Sequence, residues 1–182
     1  MAVASPWSFT RASRAEDRPW TTRNNGPPSA TIACSAGASL SKLRGKELKW
    51  RNLPLSGQGE VLALPKTNTL EIFARVDFQT AKAVVLEFKS SDKNAQPITL
   101  GFNGSELAVM EIKAPLPLAA RGQELELRVF IDRSVMEVFA NETRCVTEAI
   151  TPLAANTALA IHAEDGTAKA KLIEAWTMKT IW

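Results

Sequence analysis

Apolar residues recur at every other position over much of the chain after residue 60, the period of a β-strand with one face on a core. The stretch from Leu125 to Ala140 is organised around this pattern. Leu125, Leu127, Val129 and Ile131 alternate with Glu126, Arg128 and Phe130. Three polar residues follow, Asp132, Arg133 and Ser134, and then a second run of β-branched and aromatic residues, Val135 to Ala140, ended by Asn141-Glu142. Two runs joined this tightly form an antiparallel hairpin, because a parallel return needs a long crossover. The turn lacks the Asn-Gly or Asp-Gly that two-residue hairpin loops prefer, so local signals leave the register open.

The same reading gives further strands. Glu60 to Leu64 is a short apolar run closed by Pro65. Leu70, Ile72, Ala74, Val76 and Phe78 alternate with Glu71, Phe73, Arg75 and Asp77, the cleanest half-buried strand in the chain. Ala83 to Phe88 is another run, and Ile98 to Phe102 and Leu107 to Ile112 flank Asn103-Gly104, a hairpin signal because both residues tolerate positive φ. Val146 to Ile150 and Ala158 to Ala163 follow, and Asp165-Gly166 is a turn leading into Thr167 to Trp182. Short strands about ten residues apart, with no helical pattern, predict an all-β sandwich or barrel. Periodicity alone does not choose between them.

Composition divides the chain. Among residues 1–41 only Val3, Phe9, Ile32 and Leu40 come from the Leu/Ile/Val/Phe set, well under the roughly 20% below which chains rarely build a core. We therefore expect a poorly ordered arm or linker remnant over 1–41 and one domain over 42–182. Residues 1–50 hold eight Lys and Arg against three Asp and Glu, so in a chain of net charge +3 the remainder is slightly acidic. A basic arm on a near-neutral fold argues against nucleic acid as partner. No apolar run is long enough to cross a bilayer, and the first residues lack a signal-peptide pattern, leaving cytoplasm as the default address.

Candidate chemistry is sparse. Glu124 and Glu126, two apart on a strand, sit about 7 Å from one another, a spacing suited to glycoside hydrolysis but also to any solvated strand face. Asp132 and Glu137 face each other across the hairpin. There Asp132 could accept turn N–H groups, and Arg133 could pair with Glu137 or with a partner domain. His162 lies in an apolar strand and reads as a packed residue, and Cys145, also in a strand, as a buried thiol. One His and two distant Cys make no zinc site, so no metal or cofactor is expected. Trp50, Trp176 and Trp182 are candidates for stacking on sugar rings. Trp176 and Trp182 share strand parity with Leu172 and Met178, which favours core packing.

The run FIDRSVMEVFAN, with CVTEAITP after it, resembles the signature of the C-terminal β-sandwich of glycoside hydrolase family 32, and EAWTMKTIW resembles that domain's last strand. The signature falls here on Asp132, Arg133, Ser134, Glu137, Val138, Phe139 and Asn141, with Thr143 or Glu142 where many relatives have Gly. The resemblance covers roughly residues 40–182 and implies a two-sheet antiparallel, jelly-roll-like sandwich. Family 32 contains invertases, levanases, inulinases and sucrose-6-phosphate hydrolases. Its catalytic residues sit on an N-terminal propeller, in Asn-Asp-Pro, Arg-Asp-Pro and Glu-Cys motifs that do not occur in this sequence. The signature thus marks a fold, and no catalytic residue carries over. The resemblance implies a noncatalytic module of a sucrose- or fructan-acting enzyme, partnered by a catalytic propeller or a second copy of itself. A gene truncated or frame-shifted ahead of the module is the accompanying expectation. The alternatives are a free-standing carbohydrate-binding module and one part of a glycosidase whose catalytic chain is encoded separately.

Overall fold

A computed structural model of the chain describes residues 38–90, 96–117, 124–154 and 157–179. All belong to one compact unit, Thr31–Trp182, of the two into which the chain divides. Residues 1–37, most of the expected arm, lie outside the described residues.

A short 3-10 helix, Ala38–Leu43, leads into twelve strands: β1 (Arg44–Leu55), β2 (Glu60–Ala63), β3 (Thr69–Asp77), β4 (Ala83–Lys89), β5 (Ile98–Phe102), β6 (Glu106–Val109), β7 (Ile112–Pro115), β8 (Leu125–Asp132), β9 (Val135–Ala140), β10 (Arg144–Ala149), β11 (Ala158–Glu164) and β12 (Ala168–Met178). They form two six-stranded antiparallel sheets. The first has the order β1-β12-β3-β8-β9-β10 and the second β2-β11-β4-β5-β6-β7. The expected two-sheet sandwich is the observed fold.

The inward residues of the alternating runs make one core. Leu70, Ile72, Ala74 and Val76 of β3 and Leu125, Leu127, Val129 and Ile131 of β8 meet Val84, Leu86, Leu100, Phe102, Leu159 and Ile161 of the second sheet. In β12 a register shift between Ala170 and Leu172 lets Ala168 and Ala170, then Ile173 and Ala175, all face inward. Asp165-Gly166 forms the expected turn, with φ of 49° and 150°. A Cβ on Gly166 would lie 2.4 Å from the Thr80 carbonyl oxygen, so the close approach requires glycine.

Two sequence expectations change, and one strand, β1, is not picked out by the sequence pattern: it has no clean alternation, since it is an edge strand with Lys46, Glu47, Lys49 and Arg51 exposed. The run Leu107–Ile112 splits into β6 and β7 because Met110 turns the chain at φ 51°. Cys145 is exposed, not buried: on β10, the other edge of the first sheet, it points away from the core with Thr147.

Candidate functional site

The β8–β9 hairpin does without a standard turn sequence because the fold holds it from outside. Asp132 pairs with Val135 in register, and Arg133 takes φ 56°. The Arg133 N–H donates to the Asn68 carbonyl at 2.8 Å, and the Ser134 carbonyl accepts from Ile150 N–H at 2.8 Å. At the far end of β9, Asn141 and Glu142 take φ of 48° and 53°, and Thr143 N–H closes the turn on the Ala140 carbonyl at 3.0 Å. Positive φ at both central residues is the backbone that favours Asn and Gly, so Glu142 adopts it at some conformational cost. Asn141 ties this turn to β8. Its Oδ1 accepts from Glu126 N–H at 2.7 Å, and its Nδ2 donates to the Glu124 carbonyl at 3.3 Å.

The signature residues therefore divide by task. Val138 is buried in the core, and Phe139 packs edge-on against Phe130 on the outer face with ring centroids 6.0 Å apart. Asn141 is the turn anchor. Asp132, Arg133, Ser134 and Glu137 are exposed. Asp132 and Glu137 are not opposite one another: Glu137 pairs with Phe130, two positions along from the Asp132–Val135 pair. Among the described residues the side chains of Asp132, Arg133 and Glu137 make no hydrogen bond or ion pair, neither to the turn N–H groups nor to each other. They line a cleft of about 320 Å³ together with Lys179 and the apolar Leu40, Leu43, Phe130 and Met178.

Beside this cleft the outer face of the first sheet is closed by its own charges. Glu71, only 1% exposed, accepts from Arg44 Nε at 2.7 Å and Arg44 Nη2 at 2.6 Å, and from Arg128 Nη1. The Arg44 guanidinium also lies 3.9 Å from the centroid of the Trp176 ring, and that of Arg128 4.9 Å from Phe73. The hydrogen bond to Glu71 holds Arg44 above the ordinary arginine value, against the opposing effect of burial. Further along, Arg75 pairs with Glu126 at 2.7 Å and with Glu124 at 3.5 Å, and Lys171 pairs with Glu124 and, at 3.6 Å, with Asp77. The Glu124 hydrogen bond, with help from Asp77, raises Lys171 above the ordinary lysine value. Glu124 and Glu126, spaced like a carboxylate pair, are thus engaged by cations on an open sheet face.

The candidate stacking residues are mostly absorbed by packing. Trp50 is half-buried against the core. Trp176 is buried, 7% exposed, but its cover is Arg44 on the outer face and not the second sheet. Strand parity favours core packing; Trp176 is instead buried on the outer face, outside the core between the sheets. Trp182 lies outside the described residues. His162 is half-buried on the outer face of β11, 3.7 Å from Glu164.

The sequence matches the family described as glycosyl hydrolases family 32 C terminal across residues 39–177. It is 27% identical over 161 residues to a levanase of Bacillus subtilis (strain 168), covering 79% of this chain and 24% of that protein. The fold resembles fructan 1-exohydrolase IIa from Cichorium intybus with a TM-score of 0.63 and 16% identity, over 79% of this chain and 37% of that one. It also resembles sucrose-6-phosphate hydrolase from Lactobacillus gasseri, with a TM-score of 0.57 and 17% identity over 80% of this chain and 30% of that one. The chain thus spans well under half the length of these relatives. With the signature hairpin, the two six-stranded sheets and a family match over most of its length, the chain belongs to glycoside hydrolase family 32, as that family's C-terminal β-sandwich.

Proposed function

We propose that this chain is a noncatalytic module that braces the catalytic propeller of a sucrose- or fructan-acting glycoside hydrolase, and that the hairpin cleft is where the two parts meet. The observation that carries this reading is the contrast between two groups of charges. Those on the sheet face are neutralised within the module, whereas Asp132, Arg133 and Glu137 line an apolar cleft with no partner among the described residues. Charged groups around apolar surface, with nothing of their own to pair with, suit a protein surface that supplies the complement.

Chain order supports the location. Leu40 and Leu43, which line the cleft, come from the short helix where the family match begins, and the module is C-terminal in its family. A preceding domain is tethered at that end. The carboxylates spaced for hydrolysis are held by Arg75 and Lys171, which favours a supporting role over a catalytic one. The substrate class follows the names of the relatives, a levanase, a fructan exohydrolase and a sucrose-6-phosphate hydrolase.

A chimera tests the reading: this module replaces the region of the Bacillus subtilis levanase that it matches. We expect the catalytic part to survive heating longer in the chimera than in the levanase truncated at that region. Changing Asp132, Arg133 and Glu137 together to Ala should abolish the gain while leaving the isolated module's own stability within about 0.5 kcal/mol. A chimera no more heat-resistant than the truncated enzyme, or one indifferent to the triple change, would count against docking at this cleft.

A further inference from the structure

We infer that the loop between β5 and β6 is a site of self-modification, where Asn103 loses its side-chain amide to attack by the Gly104 nitrogen and becomes aspartate or isoaspartate. The loop belongs to the second sheet, so the inference is independent of the docking reading. Asn103-Gly104-Ser105 joins Phe102 to Glu106, with Asn103 and Ser105 exposed and Gly104 at φ 88°. The Asn103 Oδ1 accepts three hydrogen bonds, from Ser105 N–H at 3.1 Å, Ser105 Oγ–H at 3.1 Å and Glu106 N–H at 2.9 Å. Three donors on one amide oxygen draw electrons from Cγ, and they are the arrangement that stabilises an oxyanion at that oxygen. The neighbouring nitrogen is unencumbered. Among the described residues no hydrogen bond holds the Gly104 N–H, and a Cβ on Gly104 would meet nothing within 4 Å, which leaves room for a ring to close.

Hydroxide takes the Gly104 amide proton, and the nitrogen lone pair bonds to Asn103 Cγ while the carbonyl pair moves onto Oδ1. At that moment the three hydrogen bonds become charge-assisted and strengthen, so they stabilise the transition state more than the resting amide. The pair then returns, Nδ2 leaves as ammonia with a proton from water, and a five-membered imide remains. Water opens the imide at either carbonyl. One water is consumed and one ammonia released, with nothing oxidised or reduced. Asn141 supplies the contrast within the same chain. Its Oδ1 accepts one N–H, its Nδ2 is bonded to the Glu124 carbonyl, and the residue after it is Glu142, whose side chain crowds the attacking nitrogen. The two products at Asn103 differ in consequence. Aspartate keeps the turn, because its carboxylate accepts the same donors more strongly. In isoaspartate the main chain runs through the former side chain, which adds an atom to the loop and removes the Oδ1 acceptor.

Incubating the full chain in mildly alkaline buffer made with heavy-oxygen water tests the inference, with fragment mass spectrometry locating each exchange of amide for carboxylate. The same chain held unfolded in guanidinium is the reference. We expect Asn103 to convert in the folded chain at least as fast as in the unfolded one, while Asn141 stays intact over the same period. Ser105→Ala removes one of the three donors from an exposed loop that does not contribute to the core. It should slow conversion at Asn103 about threefold or more in the folded chain and leave the unfolded rate unchanged. A folded chain that keeps its Asn103 amide while the unfolded chain loses it overturns the inference, because the three bonds would then restrain the side chain and not activate it. A Ser105→Ala chain that converts as fast as the parent when folded, or is slowed equally in both states, overturns it as well.

Discussion

Removing the carboxylate of Glu71 should be among the most damaging single changes to this fold. Glu71 is 1% exposed and accepts three charge-assisted hydrogen bonds from Arg44 and Arg128, whose side chains keep 28% and 29% of their exposure. Breaking a fully buried ion pair by deleting one member costs about 3–5 kcal/mol. Here both guanidinium groups can recover part of their hydration, which lowers the expected cost of Glu71→Ala to about 2–4 kcal/mol. At a urea dependence of roughly 2 kcal/mol per molar, the unfolding midpoint falls by about 1–2 M with an unchanged slope. Half-molar sodium chloride should alter the difference little, because a buried pair is poorly screened. Replacing all three residues together by Met, Leu and Met should recover most of the loss, since well-packed apolar groups substitute for buried ion clusters at little or no cost. A loss below about 0.5 kcal/mol for Glu71→Ala would show that the cluster behaves as ordinary surface charge and would refute the argument.

Other outcomes follow from the same geometry. Asn141→Ala, which removes both side-chain bonds to β8 and places Ala at φ 48°, should cost about 1–3 kcal/mol by urea unfolding, and Asn141→Gly should recover only the backbone share. Lys171 should titrate above 10.5 by NMR of its ammonium group, and Glu124→Gln should bring it down. Because the folded value is the raised one, the contribution of this cation is complete below the ordinary lysine range and fades as pH climbs through the folded value. An unshifted Lys171 would mean that the contact with Glu124 does not persist in solution.

What the sequence made legible depended on where each element ended up. The alternation in β3 and β8 was plain because both are interior strands with one face on the core and one outside. β1 was opaque for the opposite reason: as an edge strand it carries Lys46, Lys49 and Arg51 in water, and Gly45 and Pro54 break its pattern. The same blindness to edges misplaced Cys145, whose period is that of a strand but whose strand has no neighbour on one side. In the alternation Glu71 read as one more polar outer residue. Its burial comes from Arg44 and Arg128, 27 and 57 residues away in sequence, and no local pattern announces that meeting. The cleft was half visible. The signature marked Asp132, Arg133 and Glu137, but Leu40, Leu43 and Met178 join them only through the pairing of β1 with β12.

Release of free fructose is the most direct test of the account. The purified chain, incubated alone with sucrose, inulin and levan, should liberate none above a boiled control. Sustained, enzyme-dependent release of fructose that a change at Glu124 or Glu126 abolishes would contradict it, placing the cutting carboxylates in the very sandwich that we describe as a brace.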